Sequence, residues 1–240
     1  TAALLGLCKA GDHVLGGDQL YGRSLRMMRD DLPRLGIETT LADPTDAGSM
    51  EAALRETTRL VLIEVVSNPT LRVADVRGIA AVAKEAGVLL VVDNTFTTPS
   101  GIRPFELGAD VVLHSVTKLL AGHSDVTLGW VAARDAALQK AMYDFAVTTG
   151  MTPSPFDCWL AERGMMTFDL RFERAQATAA AGAEPLEPAG ATPPPCGDWA
   201  SSWRVGEPAI AHSMVILKLV SCTRTEPVPF SFQSYFQKHS

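Results

Sequence analysis

Short apolar runs alternate with longer amphipathic stretches from the start of the chain to about residue 180. The runs HVLGG (13–17), IETTLAD (37–43), LVLIEVV (60–66), VLLVVD (88–93), DVVLHS (110–115) and VTLGWVAA (126–133) predict strands. Several are continuously apolar instead of alternating, as strands covered on both faces are. Helical spacing predicts helices over 1–9, 19–34, 46–56, 74–86, 134–148 and 168–181. In 74–86, Val76, Ile79, Ala80, Ala83 and Ala86 share one face, and Gly87 stands where a C-cap is needed. Strand–helix alternation of this kind predicts an α/β domain, a mainly parallel sheet with helices on both faces.

The pattern breaks near Gly182. Residues 182–240 carry more than half of the 15 prolines, including Pro193–Pro195, and a single strand-like run, MVILKLVS (214–221), with no partner in the pattern. Agreement among pattern, turn residues and propensity is what marks a foldable domain. The expected organisation is therefore a domain over 1–181 and a poorly ordered tail over 182–240. A shift of reading frame after about Ala181 would explain the abrupt change. The helix over 1–9 starts without a capping residue, so the domain is expected to be incomplete at its N-terminus.

Composition narrows the partners. Apolar residues make up 47% of the 240 and charged residues 20%, enough to fill a core. A net charge of -6 disfavours nucleic acid and anionic membrane surfaces, which need basic patches. No apolar run reaches the ~18–20 residues of a membrane span, and no secretory leader is evident. The cysteines Cys8, Cys158, Cys196 and Cys222 are scattered, and the histidines do not cluster. Neither a disulfide framework nor a metal site is expected, and the reducing cytoplasm is the expected compartment.

Open parallel sheets bind ligands outside the carboxyl ends of their strands. Those ends carry Ser67-Asn68-Pro69-Thr70, Asp93-Asn94-Thr95 and His114-Ser115-Val116-Thr117-Lys118, three polar clusters on one rim. Asp93 closes an apolar strand. It is either a capping residue for the next turn or a buried acid that needs a cationic or donor partner. Lys118 is either a solvated surface lysine or an amine whose pKa is lowered by burial, suited to a Schiff base. Together an acid and a lysine on neighbouring strand ends fit pyridoxal 5'-phosphate (PLP): the acid keeps the pyridine nitrogen protonated and the lysine carries the aldehyde. Ser115 and Thr117 would then hold its phosphate.

The segments running from Gly11-Asp12-His13 to Tyr21-Gly22, then IEVVSNPT (63–70), VVDNTFTTP (91–99), HSVTKLLAGHSDVTLG (114–129) and SPFDCWLAERGMMTFDLRFERA (154–175) closely resemble the Cys/Met-metabolism, or transsulfuration, PLP enzymes. That family comprises cystathionine γ-synthase, γ-lyase and β-lyase, methionine γ-lyase and O-acetylhomoserine sulfhydrylase. The resemblance runs in order over about residues 1–180. It implies the large domain of fold type I, the aspartate aminotransferase fold, in a dimer-built homotetramer. By it, Lys118 carries PLP and acts as general acid and base. Asp93 pairs with the pyridinium nitrogen, and Asn68 hydrogen-bonds the ring's phenolic oxygen. Ser115 and Thr117 contact the phosphate. Tyr21 stacks on the ring and assists proton transfer, and Arg26 lies near the active site. His123, Ser124 and Asp125 shape the loop after the lysine.

The implied reaction is β- or γ-elimination, or γ-replacement, on cystathionine or a homoserine-derived amino acid. Tyr21-Gly22-Arg23 lacks the cysteine associated with methionine γ-lyase, which favours cystathionine γ-lyase or γ-synthase chemistry. Gly122-His123-Ser124-Asp125 disfavours an aminotransferase. Two departures stand out: a Ser-Gly-Met turn expected before Thr1 and the arginine expected to bind the substrate carboxylate are both absent. The alternative is thus an impaired remnant of such an enzyme, acting at most in PLP binding or subunit association.

Overall fold

The computed structural model describes residues 1–68 and 70–183. The tail expected over 182–240 lies outside the described residues, except that the last helix includes Gly182 and Ala183.

Six strands form one sheet: β1 (His13–Gly17), β2 (Glu38–Ala42), β3 (Thr58–Glu64), β4 (Leu89–Asp93), β5 (Val111–Ser115) and β6 (Gly129–Ala133). Their order is β2-β1-β3-β4-β5-β6. All neighbours are parallel except β5 and β6, which pair antiparallel. The helices are α1 (Ala2–Leu7), α2 (Gly22–Arg26), α3 (Leu32–Arg34), α4 (Ala47–Ala52), α5 (Val76–Glu85), α6 (Thr98–Gly101), α7 (Ala136–Thr148), α8 (Pro155–Met165) and α9 (Phe168–Ala183). This is the α/β architecture that the pattern predicts.

Continuous apolar strands are needed because the sheet is covered twice. Successive side chains of a strand point to opposite faces. On one face Val14, Leu60, Leu62, Val91 and Val111 pack with α1, with Met28 and Leu32, and with Met142 and Ala146 of α7. On the other, Leu15, Val61, Ile63, Leu90, Val92 and Val112 pack with Met50 of α4 and with Val76, Ile79, Ala80 and Ala83 of α5. A third cluster joins Val116, Leu120, Ala121, Val126 and Leu128 to Ala161, Met165, Phe168 and Phe172 of α8 and α9. This last cluster seats the chain around Lys118.

Several boundaries differ from expectation, each for a local reason. Strand β6 begins at Gly129 instead of 126, because Leu128 is engaged elsewhere: its N–H donates to Thr117 Oγ1 at 2.8 Å and its carbonyl accepts from Thr117 N–H at 3.1 Å. Strand β3 ends at Glu64 instead of 66, since Val66 turns back to bridge Val73. Ala86 does not join the buried face of α5; it is the exposed C-cap, and Gly87 follows at φ +67. The helix expected over 19–34 is α2 and α3 joined by a π turn over Met27–Asp31, with Pro33 offering no N–H to the turn before it.

Helix α8 was not predicted. Ser154 caps it by accepting from Asp157 N–H at 3.1 Å, and Pro155 occupies the first turn. Its two aromatic residues, Phe156 and Trp159, are 64% and 54% exposed, so its apolar positions do not mark a buried stripe.

Leu90, fully buried in β4, touches the core of one sheet face. Leu90→Ala should lower unfolding free energy by about 2–5 kcal/mol in urea denaturation. Leu170→Ala, at a position 71% exposed, should change it by no more than ~0.5 kcal/mol.

Candidate active site

The sheet changes direction of winding between β1 and β3, and a cavity of about 610 Å³ opens at the carboxyl ends of the strands there. Its walls come from Thr1 to Leu4, from Leu20 to Asp31, and from the ends of β3, β4 and β5. Among the sequence-predicted residues, Tyr21, Arg26, Asn68, Asp93, Ser115 and Lys118 line it together. The three polar rim clusters therefore converge.

Thr117 is placed differently. It is not among the lining residues, and its hydroxyl both accepts from Leu128 N–H and contacts the Leu128 carbonyl at 3.2 Å. Arg26 borders the cavity but is largely exposed, within 3.9 Å of Asp30. His123 Nδ1 lies 2.6 Å from the Ala121 carbonyl, and Gly122 and Ser124 both have positive φ (72 and 56), a left-handed bend after the lysine turn.

Two residues that the sequence reading did not single out shape the site. Glu64 ends β3 in register with Asp93 at the end of β4, so two carboxylates face the cavity side by side. Glu64 Oε1 accepts from Tyr21 N–H at 2.6 Å, and Oε2 from Asn68 N–H at 3.4 Å. Its signal was an acidic residue inside an otherwise apolar, doubly covered strand. Thr95 is the other. Its N–H and hydroxyl both donate to Asp93 Oδ1, at 2.9 and 2.5 Å, while its hydroxyl accepts from Ser115 N–H at 2.8 Å. The acid of β4 is thereby tied to the strand that leads into Lys118. Neighbouring Asn94 is buried and donates to the carbonyls of Thr98 (3.0 Å) and Ile102 (2.8 Å), which holds the turn below.

Burial dominates the electrostatics. It pushes the Glu64 carboxyl up to about 8, helped by the Asp93 charge and opposed by the two N–H donors. It also raises Asp93, against the hydrogen bonds from Thr95. Burial lowers the amine of Lys118 and holds His114, which is tilted against Trp130 at 5.6 Å, down at about 3. A desolvated acid pair and an amine lowered by burial, lining one cavity, suit a cation on one side and a carbonyl on the other.

With that geometry in view, the family model for the Cys/Met metabolism PLP-dependent enzymes matches residues 1–191. The chain belongs to this family. A cystathionine beta-lyase of Bacillus subtilis is 43% identical over 173 residues, covering 72% of this chain and 44% of the relative. A probable cystathionine gamma-synthase of Herpetosiphon aurantiacus is 39% identical over 171 residues, covering 71% of this chain and 54% of the relative. The crystal structure of cystathionine gamma-lyase from Lactobacillus plantarum complexed with L-serine superposes with a TM-score of 0.77 at 32% identity, over 86% of this chain and 56% of that one. The chain thus spans about half the length of these relatives. The fold is that of the PLP fold type I enzymes.

The residues present fit PLP. The cavity falls within the roughly 300–1,000 Å³ usual for cofactor sites. It offers an acid for a ring nitrogen, an amine for an aldehyde and an aromatic side chain for a ring face. Among the described residues no group of three or more His, Cys, Asp or Glu is placed to hold a metal, and no helix is long and apolar enough to cross a membrane.

The raised Glu64 fixes the sign of a pH effect in the cofactor-free chain. A glutamate ordinarily titrates near 4.5, and here near 8, so over that interval the folded state holds a proton the unfolded state has lost. Its contribution to stability is present below 4.5 and is lost as pH rises through 8. Melting temperature should therefore fall between these pH values in the wild type relative to Glu64→Gln. Parallel curves would contradict this.

Proposed function

We propose that this chain is the cofactor-binding part of a PLP-dependent lyase or transferase of sulfur amino-acid metabolism. The substrates proposed are cystathionine or homoserine-derived amino acids, and the chemistry is β- or γ-elimination or γ-replacement. The observation that carries the reading is that Asp93, Tyr21 and Lys118 line one cavity, with the half-buried acid raised by desolvation at a strand end and the amine lowered by it. The same observation tells against an impaired remnant. The relatives at similar identity are a β-lyase and a γ-synthase, so the choice between elimination and replacement rests on parts beyond this domain.

PLP, when bound, supplies an electron sink for charge developing at the amino acid's Cα. Lys118 would hold the cofactor through Nζ. The Lys118 amine would accept the Cα proton of an amino-acid substrate and return it later. Burial serves this role, because it lowers the amine's pKa and so eases loss of its proton. Asp93 would pair with the ring nitrogen and keep it protonated. Thr95 would fix the orientation of that carboxylate, since Oδ1 already accepts two hydrogen bonds. Tyr21 would cover the ring face, Asn68 would reach the phenolic oxygen and Ser115 would serve the phosphate end, with Arg26 near the active site; Thr117 would join Ser115 only by releasing Leu128. The assembly proposed is a dimer-built tetramer.

Borohydride reduction of the chain with added PLP should place one label on Lys118, read by peptide mass spectrometry, and Lys118→Ala should abolish it. Asp93→Asn should keep the label but slow Cα proton exchange on an added amino acid, followed by NMR in heavy water, by roughly 10²–10³. Labelling spread over surface lysines, or exchange unaffected by Asp93→Asn, would refute the assignment.

A further inference from the structure

Outside the cavity wall, one cation is aimed at the turn that carries the lysine. Lys118 sits in a tight turn in which its N–H donates to Ser115 O at 3.1 Å and its carbonyl accepts from Gly122 N–H at 2.8 Å. The carbonyls that follow it, at 119 to 121, come at the end of this helical turn, where no further turn supplies N–H donors. Arg171 of α9 supplies them. Its Nη1 donates to Leu119 O at 2.7 Å, and its Nη2 to Leu120 O at 3.0 Å, Gly164 O at 2.9 Å and, more weakly, Ala121 O at 3.4 Å. Its Nε donates to Thr167 Oγ1 at 3.0 Å, which fixes the plane of the guanidinium.

The packing is close around this contact. Gly122, at φ +72, stands where a Cβ would collide with the Arg171 guanidinium, and Gly164 where a Cβ would collide with the Ala121 carbonyl. Below, Leu120 and Ala121 are buried against Ala161, Met165, Phe168 and Phe172. The turn, α8 and α9 thus meet at one planar cation, and a planar fork can serve several carbonyls where an ammonium cannot.

We infer that Arg171 is a positioning residue for Lys118: by gathering the carbonyls after the lysine onto α9, it sets where the amine stands in the cavity. The inference rests on Lys118 being the PLP carrier, but its test does not require PLP. Positioning matters because a displacement of about 1 Å at a reacting group can cost on the order of a hundredfold in rate.

The experiment is competitive acetylation of the cofactor-free chain with acetic anhydride, read by peptide mass spectrometry across pH. Lys9, Lys84 and Lys140 serve as internal references in the same molecule, and circular dichroism checks that each variant is folded. In the wild type the midpoint of Lys118 should lie below those of the references. In Arg171→Lys, which keeps the charge but loses the fork, it should move toward them, and the rate of borohydride-trapped PLP capture should fall ~10–100-fold. A purely structural role would lower melting temperature and leave the Lys118 midpoint where it was. A folded Arg171→Lys with an unshifted midpoint overturns the inference. Should that variant not fold, Thr167→Val, at an exposed position, decides in the same way: a shift in the same direction supports it and an unshifted Lys118 overturns it. Absence of PLP capture at position 118 in the wild type would instead count against the carrier assignment, and the acetylation result stands apart from it.

Discussion

Two carboxylates on adjacent parallel strands, in register and largely withdrawn from water, set the terms for everything near them. Glu64 and Asp93 cannot both ionise cheaply in that setting. Either protons stay on them, or a cation comes between the site and its charge. Under the proposed function, a protonated pyridine nitrogen against Asp93 would satisfy one member of the pair, while Glu64 accepts the N–H groups of Tyr21 and Asn68. The ring's electron-withdrawing power would then draw on the fold itself, since burial raises the pKa of that acid and a facing cation would offset the cost of its charge.

The remaining parts hold the acid, the aromatic face and the amine in fixed relation. Thr95 spans from Asp93 to the Ser115 backbone, so the strand that bears the acid and the strand that leads into the lysine move together. Glu64 ties the segments of Tyr21 and Asn68 to the end of β3. On the outer side, Arg171 gathers the carbonyls after Lys118, while the apolar cluster of α8 and α9 closes the turn from below. Placing the amine therefore draws on residues more than fifty positions further along the chain.

Much of this was legible in the sequence. Doubly covered parallel strands leave continuous apolar runs, and polar clusters at their ends mark the rim, so Asn68, Asp93, Ser115 and Lys118 could be found from pattern. Tyr21 and Arg26 came only from family resemblance, since an aromatic and an arginine near a helix start have no periodic signal of their own. Glu64, and the role of Thr95 within its rim cluster, were hidden because their importance lies in register and in a hydrogen-bond path across strands. Arg171 was hidden in a helical pattern, where an arginine reads as a solvated face. Helix α8 escaped because its large aromatic residues point outward, and the early limit of β3 because its apolar run continues past the turn at Val66.

The most direct measurement is nitrogen-15 NMR of the chain loaded with PLP labelled at the ring nitrogen. The account predicts a protonated pyridine resonance that persists well above the pH at which the free cofactor loses that proton, and its loss in Asp93→Asn. A resonance of unprotonated pyridine at neutral pH in the wild type would contradict it.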